Sequence, residues 1–170
     1  MERYTFKIVV VGDYGVGKTS LLNRYIDMKF VEDYLPTLGV NMLRKEMTYK
    51  NSKIKLMFWD IAGQELYASV REQFYEGTQG AMLVYDVTRP ESFANIEKWH
   101  KEILNIAQTT IYSILVGNKI DLNKVVPTEE GISKAENNNW LFLETSARTG
   151  QGIEDAFHAL IDNLLSVYEQ

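Results

Sequence analysis

The chain has 170 residues and a mass of 19.6 kDa, which suits one domain with a single, substantial core. Its 45% hydrophobic and 24% charged residues exclude extended disorder and a collagen-like repeat. A formal charge of −5 weighs against generic electrostatic binding of nucleic acid, and we expect no nucleic-acid partner. The absence of cysteine excludes a disulfide framework, a thiolate metal site and a cysteine-linked lipid anchor.

No segment of the sequence predicts a membrane span or a secretory signal. The longest apolar runs, such as Ile8 to Val11 and Ala81 to Tyr85, are far shorter than the roughly 18 to 20 residues that a span needs. The N-terminus lacks the basic, apolar and small-residue regions of a signal peptide. We therefore expect a single cytoplasmic domain over residues 1–170.

Short β-branched or apolar runs alternate with longer segments of helical periodicity. The runs predict parallel strands over Phe6 to Val11, Ile54 to Trp59, Ala81 to Val87, Ser113 to Gly117 and Leu141 to Glu144. A hairpin adds one antiparallel strand over Val40 to Tyr49, and helices are predicted over Lys18 to Asp27, Glu91 to Ala107 and Ile153 to Tyr168. The alternation predicts a doubly wound α/β fold: a six-stranded, mostly parallel sheet with one antiparallel edge strand and helices on both faces. Ligands bind such sheets at the carboxyl ends of the strands, so the loops there form the candidate site.

The loop after the first predicted strand reads Gly12-Asp13-Tyr14-Gly15-Val16-Gly17-Lys18-Thr19 and matches the pattern G-x-x-x-x-G-K-[ST] in full. In a phosphate loop of this pattern, backbone N–H groups and a helix N-terminus surround the phosphates. Lys18 can reach the β and γ phosphates, and the Thr19 hydroxyl suits Mg²⁺. The alternative, a glycine-rich turn with a chance lysine, is disfavoured because the motif follows a strand and opens an amphipathic helix. We predict a bound nucleoside triphosphate or diphosphate, contacted by Asp13, Tyr14, Gly15, Val16, Gly17, Lys18, Thr19 and Ser20.

A second candidate loop, Asn118-Lys119-Ile120-Asp121, follows another predicted strand. The Asp121 carboxylate has two acceptor oxygens that match the N1–H and N2–H donors of guanine, whereas adenine offers a lone pair and a C–H at that edge. A buried carboxylate left without donors is costly, so this loop predicts guanine specificity. Asn118 and Lys119 can join it to the phosphate loop and lay an aliphatic stem on the base. Alone, this tetrapeptide is a weak signal that an exposed turn explains better; its place at the end of a strand, near a phosphate loop, favours the base site.

Five segments together resemble the Ras superfamily of small GTPases in order and spacing, over essentially the whole chain. They are Gly12 to Thr19, Tyr34 to Thr37, Trp59 to Glu65, Asn118 to Asp121 and Glu144 to Ala147. The Rab branch is indicated by Val84 to Thr88 with Glu91 to Phe93, by Gly39 to Asn41, and by the aromatic residues Trp59 and Tyr75. The resemblance implies a single G domain that binds GTP or GDP with Mg²⁺ and hydrolyses GTP to GDP and phosphate. It also implies a switch that binds effectors in its GTP state, in vesicle trafficking or signalling.

The resemblance supplies a metal site and a catalytic residue. Asp60 closes a predicted strand, where its carboxylate can hold Mg²⁺ through water while Thr19 binds the ion directly. By resemblance, Thr37 is the second hydroxyl ligand in the triphosphate state, and Gly63 donates its backbone N–H to the γ phosphate. Gln64 has the amide needed to orient the attacking water and is the candidate catalytic residue.

Two segments poor in helical pattern, roughly Phe30 to Gly39 and Ala62 to Gln73, are the predicted switches. Loss of the γ phosphate removes the contacts of Thr37 and Gly63, so both segments should relax on hydrolysis. Phe30 is implied to pack against the guanine edge, although an aromatic that anchors its own loop explains it nearly as well. The resemblance adds further nucleotide contacts from Tyr34, Ser146, Ala147 and Arg148.

Two residues depart from the family pattern. Tyr14 occupies a phosphate-loop position that is usually Gly in the Ras branch and Ser or another small residue in the Rab branch. A phenol beside the γ phosphate would crowd Gln64 and slow hydrolysis, whereas an outward-pointing Tyr14 would be harmless. Met42 stands where the Rab branch usually has Phe, next to Trp59 and Tyr75, which predicts an altered effector preference.

Three classes of function compete for this sequence. The leading one is the GTPase switch; a slowly or non-hydrolysing GTP-binding adaptor follows if Tyr14 disables turnover. A P-loop nucleoside kinase needs an arginine-bearing lid and an acceptor pocket, which the sequence does not indicate. As a GTPase, the protein is expected to be a monomer whose partners are effectors, an exchange factor and a GTPase-activating protein. Rab-like proteins usually carry prenylated cysteines in a tail, so we expect membrane association only through partners or through a tail beyond Gln170.

Overall fold

The computed structural model of the protein describes residues 1–26, 31–35, 39–61 and 68–168. Its strands are β1 (Glu2–Val11), β2 (Val31–Leu35), β3 (Val40–Tyr49), β4 (Ser52–Ile61), β5 (Gly80–Asp86), β6 (Tyr112–Asn118) and β7 (Leu141–Thr145). Its helices are α1 (Lys18–Ile26), α2 (Ala68–Arg71), α3 (Pro90–Ala94), α4 (Ile96–Ala107), α5 (Thr128–Asn138) and α6 (Ile153–Ser166). A 3₁₀ turn over Glu72–Phe74 follows α2 directly.

The seven strands of the described chain form one sheet in the order β2-β3-β4-β1-β5-β6-β7. β1 pairs in parallel with β4 and β5, and β6 continues the parallel arrangement to β7. β3 runs antiparallel to both of its neighbours. The predicted doubly wound α/β fold with one antiparallel strand is therefore confirmed.

The structure adds elements that the sequence patterns did not predict. β2 pairs with the outer side of β3, so β3 is not the edge strand; the acidic residues Glu32 and Asp33 make β2 a weak strand signal. The predicted helix from Glu91 is interrupted at Asn95, which separates α3 from α4. α5 was missed because it is largely polar, and one of its buried positions is a glycine, Gly131.

The alternation of β1 divides the core between the two faces of the sheet. Phe6, Ile8 and Val10 join a cluster with residues of α1 and α6. Val9 and Val11 join a second cluster with residues of α4 and α5. Because each fully buried apolar side chain stabilises the fold by about 1.5 to 3 kcal/mol, β1 is a rigid support for the loop at its carboxyl end.

That rigid support places the first candidate loop directly after β1. The second follows β6, two strands away in the sheet, and the loop after β7 lies next to it. Strands that run in parallel end at the same edge, so the motif residues converge as the fold class predicts. Within the described residues, no helix combines the length and apolarity that crossing a membrane requires.

Candidate functional site

The phosphate loop after β1 depends on glycine at two points of close backbone approach. Gly12 has φ +150°, and a Cβ there would lie 2.2 Å from the Val84 carbonyl oxygen. Gly17 has φ +101°, and a Cβ there would lie 2.3 Å from Nδ2 of Asn118. Both positions therefore exclude side chains through contact as well as through backbone conformation.

Lys18 closes the loop from the start of α1. Its Nζ donates to the carbonyl oxygens of Gly12 at 3.0 Å and Asp13 at 3.2 Å. Burial lowers the pKa of the Lys18 amino group, while the carboxylates of Asp60 and Asp13 oppose this shift. Among the described residues, this ammonium group is hydrogen-bonded to neutral carbonyls, and it is well placed to exchange them for phosphate oxygens.

The next three carbonyls, of residues 14–16, accept hydrogen bonds from side chains of two other loops. Arg89 Nη1 donates to Tyr14 at 2.8 Å, and Lys119 Nζ donates to Gly15 at 2.7 Å. Asn118 Nδ2 donates to Val16 at 2.9 Å. In a trans peptide the N–H points opposite to the C=O, so these bonds direct the following N–H groups to the other side of the loop. The Val16 N–H makes a long hydrogen bond of 3.4 Å to the Asp13 carbonyl, which a phosphate oxygen would replace. A row of N–H groups on one side of a loop is an anion-binding nest.

The side chain of Asp13 anchors the loop instead of facing a ligand. Its carboxylate accepts a hydrogen bond from Asn95 Nδ2 at 2.8 Å and another from Trp99 Nε1 at 2.9 Å. Both donors belong to α4 or to its start, and the Asp13 side chain is buried. Only the backbone of Asp13 is therefore available as the nucleotide contact that we predicted.

Thr19 and Asp60 meet at the base of the phosphate loop. Thr19 Oγ1 donates to Asp60 Oδ2 at 2.5 Å. Burial raises the pKa of the Asp60 carboxyl, opposed by the Thr19 hydrogen bond and the Lys18 charge. A hydroxyl and a carboxylate oxygen are the donors that Mg²⁺ prefers, so the predicted pair fits this ion.

Asn118 connects the phosphate loop to the loop after β7. While its Nδ2 bonds to Val16, its Oδ1 accepts from Thr145 Oγ1 at 3.0 Å and from the Ala147 N–H at 3.3 Å. The Asn118 side chain is buried, and all of its polar atoms are engaged. The two ends of the candidate site are thus one hydrogen-bonded unit.

Asp121 lies at the far end of this unit. Its Oδ1 accepts from Ser146 Oγ at 2.8 Å, and its Oδ2 lies 4.0 Å from Nη1 of the exposed Arg148. A cleft of about 380 Å³ opens here, lined by Gly17, Ser20, Asn118, Lys119, Asp121, Leu122, Ala147 and Arg148. The cleft thus joins the end of the phosphate loop to the predicted guanine-reading carboxylate.

Sequence reasoning missed Asp86, the last residue of β5. Its Oδ1 accepts from the Thr88 N–H at 2.8 Å and from the Thr88 hydroxyl at 2.6 Å, and its Oδ2 pairs with Lys119 Nζ at 3.0 Å. Burial alone would raise the pKa of Asp86, but the Thr88 bonds and Lys119 outweigh it and lower the pKa. The sequence signal that could have identified Asp86 is its position as a carboxylate at the end of a central parallel strand, the edge where ligands bind.

The aromatic pair indicated in the sequence needs one correction. Tyr75 is fully buried, and its hydroxyl donates to Glu102 Oε2 at 2.6 Å, so it is not a surface partner of Trp59. The ring beside Trp59 is that of Phe74, with centroids 5.7 Å apart. Spacing in the sequence could not decide between two adjacent aromatic residues at the end of a 3₁₀ turn, Phe74 and Tyr75. Met42 pairs with Trp59 across β3 and β4, so the half-buried surface cluster is Met42, Trp59 and Phe74.

The remaining predicted residues fall into two groups. Phe30, Thr37, Gly63 and Gln64 lie outside the described residues, and their roles stay predictions. Tyr34 lies in β2, opposite Asn41 of β3. Tyr14 is 60% exposed, an orientation that favours the outward-pointing alternative over crowding of the phosphate site.

The fold and the convergence of these loops define the class of P-loop small GTPases. The Ras family model matches residues 7–166, and the chain belongs to the Ras family. It is 44% identical over 167 residues to Ras-related protein RABC2a of Arabidopsis thaliana, which covers 96% of this chain and 79% of that protein. It is 40% identical over 165 residues to Ras-related protein Rab-25 of Mus musculus, covering 96% of this chain and 78% of that protein. These relatives assign the chain to the Rab branch, whose members are GTP-binding proteins and GTP hydrolases.

Proposed function

We propose that this GTPase is a guanine-nucleotide switch whose site is the cleft between the phosphate loop and the Asn118 to Asp121 loop. The observation that carries the proposal is the direct hydrogen bonding between these loops, through Asn118 to Val16 and Lys119 to Gly15. A ligand that needs both a phosphate nest and a carboxylate for its base fits this arrangement. Guanosine triphosphate and diphosphate have that chemistry, and adenine nucleotides do not.

Mg²⁺ is the metal that the oxygen donors near the phosphate loop would hold. Thr19 would bind it directly and Asp60 would bind through water, with Thr37 added in the triphosphate state. When bound, Mg²⁺ neutralises charge on the β and γ oxygens. The contact between Thr19 and Asp60 supports this assignment, because it brings the two donors together at the start of α1.

The residues that promote hydrolysis would come from two places, the phosphate loop and the segment after β4. Lys18 would exchange its two carbonyl bonds for the β and γ phosphates, and the N–H groups of residues 15–17 would hold the same oxygens. Gln64 would orient the attacking water. Little covalent chemistry is required of the protein, so positioning and charge stabilisation supply most of the rate.

The switch itself would lie in the segments around Thr37 and Gly63. Both contact the γ phosphate in this proposal, so its loss releases them and alters the surface that effectors bind. Met42 on β3, Trp59 on β4 and Phe74 in the 3₁₀ turn form a half-buried apolar cluster near these segments. This cluster offers apolar area for an effector to bury. The Rab-named relatives favour a role in vesicle trafficking, with an exchange factor and an activating protein as regulators.

Single-turnover hydrolysis of GTP with Mg²⁺ tests this proposal. Wild-type protein should release phosphate from GTP and not from ATP, and Gln64→Leu should slow release about a hundredfold because the water loses its orientation. Tyr14→Ser should change the rate by less than about threefold if the phenol points outward. A rate that rises about tenfold or more in Tyr14→Ser would favour the slowly hydrolysing adaptor instead. No GTP turnover in the wild type and none in Tyr14→Ser would contradict the enzymatic proposal.

A further inference from the structure

Asn95, Trp99 and Arg89 all contact the phosphate loop from outside the nucleotide motifs of the sequence; the first two bond to the Asp13 side chain, whereas Arg89 bonds to the loop backbone. Arg89, between β5 and α3, donates from Nη1 to the Tyr14 carbonyl at 2.8 Å. We propose that Arg89 is a positioning residue that orients the N–H of Gly15 towards the bound phosphates. This inference rests on the proposed function, since it concerns the same phosphate site.

Peptide geometry connects the arginine to the nest. Tyr14 C=O and Gly15 N–H belong to one planar peptide and point in opposite directions. With the carbonyl fixed on the Arg89 side, the N–H faces the opposite side, as it does after the carbonyls of Gly15 and Val16. A Cβ at Gly15 would lie 3.5 Å from Arg89 Nη1, so the guanidinium lies directly against the loop.

Arg89 is itself held in place. Its backbone N–H donates to the Asp86 carbonyl at 2.9 Å, and its carbonyl accepts from the Ser92 hydroxyl at 2.7 Å. Its Nε pairs with Glu91 Oε1 at 3.0 Å, which fixes the plane of the guanidinium. A fixed donor restrains the Tyr14 peptide more than a freely rotating one would.

One further hydrogen bond of the described residues acts across this peptide: the Val16 N–H donates to the Asp13 carbonyl at a long 3.4 Å and closes a turn around the Tyr14–Gly15 peptide, without bonding that peptide itself. Among the three peptides of residues 14–16, the two that follow are held by Lys119 and Asn118 from the loop after β6. The Tyr14 side chain, 60% exposed, makes no hydrogen bond in the described part of the chain and supplies no anchor of its own. Without Arg89, the Tyr14 peptide would lose its direct hydrogen bond and rotate more readily within that turn, and the nest would lose one preorganised donor.

The test measures GDP release and the Gly15 amide resonance in the full chain. Arg89→Ala should raise the GDP dissociation rate about fivefold, the loss expected for one partly exposed charged hydrogen bond, and should shift the Gly15 amide signal of the GDP complex. Arg89→Lys should recover most of both effects, because an ammonium can also donate to a carbonyl. Lys134→Met is the matched control, because it also removes a bond from a cationic side chain to a backbone carbonyl. Lys134 on α5 donates from Nζ to the carbonyl of Phe93 on α3 at 2.6 Å, away from the phosphate loop.

The outcomes separate the two proposals. Arg89→Ala with the wild-type release rate and an unmoved Gly15 signal would overturn the positioning role. Equal acceleration by Arg89→Ala and Lys134→Met would also overturn it, since a general loosening of α3 would then explain both. If Arg89→Ala does not fold, Arg89→Gln with the same two readouts takes its place. Wild-type protein that binds no GDP would overturn the proposed function before any variant is compared.

Discussion

The two ends of the candidate site would contact the ligand with different kinds of group: mainly backbone at the phosphate end and a side chain at the base end. At the phosphate end the ligand would meet backbone N–H groups together with the Lys18 ammonium group, and other side chains such as Lys119 act by holding carbonyls. At the base end the ligand would meet a side chain, the Asp121 carboxylate, which Ser146 holds from behind. The phosphate end should therefore be most sensitive to added atoms, and the base end to a changed functional group.

The two ends nevertheless share their supports. Asn118 donates to Val16 and accepts from Thr145, and Lys119 bridges Gly15 and Asp86. This network is buried at Asn118 and partly exposed at Lys119, and its buried part is most stable when every polar group is satisfied. Distortion of the central supports should disturb both ends, whereas changes at either extremity should stay local.

The largest effect is expected from adding one methyl group at the phosphate end. Gly12→Ala would place a Cβ 2.2 Å from the Val84 carbonyl oxygen, and backbone cannot move away cheaply. We expect the free energy of unfolding to fall by about 3 kcal/mol, from overpacking plus backbone strain. Urea unfolding measures it.

Gly77→Ala is the control for that experiment. Gly77 has φ +74°, but a Cβ there meets nothing within 4 Å. Only the conformational cost of about 1 to 2 kcal/mol should appear. Equal losses in the two variants would show that close approach at Gly12 is unimportant.

A change of functional group at the base end should alter specificity and leave folding intact. Asp121→Asn keeps one acceptor and replaces the other with an N–H donor, which opposes the exocyclic amine of guanine. We expect GTP affinity to fall about a hundredfold and affinity for xanthosine triphosphate to rise, because xanthine has an acceptor at that position. Nucleotide binding is measured by fluorescence competition. The exposed Asp155 supplies the control, and an Asp155→Asn variant that lost as much affinity would remove Asp121 from the base site.

The smallest effect is expected from Asp86→Asn at the support shared by the two ends, where the loss of stability should depend on pH. Its pKa is held below the ordinary 3.8 by the Thr88 bonds and Lys119, despite burial. The folded state therefore favours the ionised carboxylate, and this stabilisation is present above the ordinary pKa and is lost as pH falls through the lower folded pKa. Asp86→Asn should destabilise the protein by about 1 kcal/mol near neutral pH.

Unfolding of the wild type and the Asp86→Asn variant, compared between about pH 6 and about pH 3, reports this contribution. The difference in stability between them should shrink on acidification. A difference that stayed constant or grew would assign the effect to packing instead of charge.

Sequence patterns predicted the elements that carry strong local signals. The phosphate loop and the Asn118 to Asp121 loop follow strands β1 and β6 and lie together, because parallel strands end at one edge. The polar helix α5 was missed because its packing uses Gly131, where a Cβ would lie 2.5 Å from the Phe142 ring. Close packing of that kind replaces the apolar stripe on which periodicity depends.

The supports of the site could not be predicted in the same way. Arg89 bonds to Tyr14 across 75 positions, and Trp99 bonds to Asp13 across 86. Neither pair has a spacing that marks it, since only the folded sheet brings the loop after β5 and α4 against the phosphate loop. Local pattern identifies groups that meet the ligand, and tertiary structure identifies those that hold them.

The central claim is that this cleft binds guanine nucleotide. It is tested most directly by identifying the nucleotide that the purified protein retains and then competing for the site with GTP, GDP and ATP in Mg²⁺. The account predicts about one guanine nucleotide per chain, displaced by GTP or GDP and not by ATP. Protein that retains no guanine nucleotide and binds none, or that exchanges equally with ATP, would contradict it.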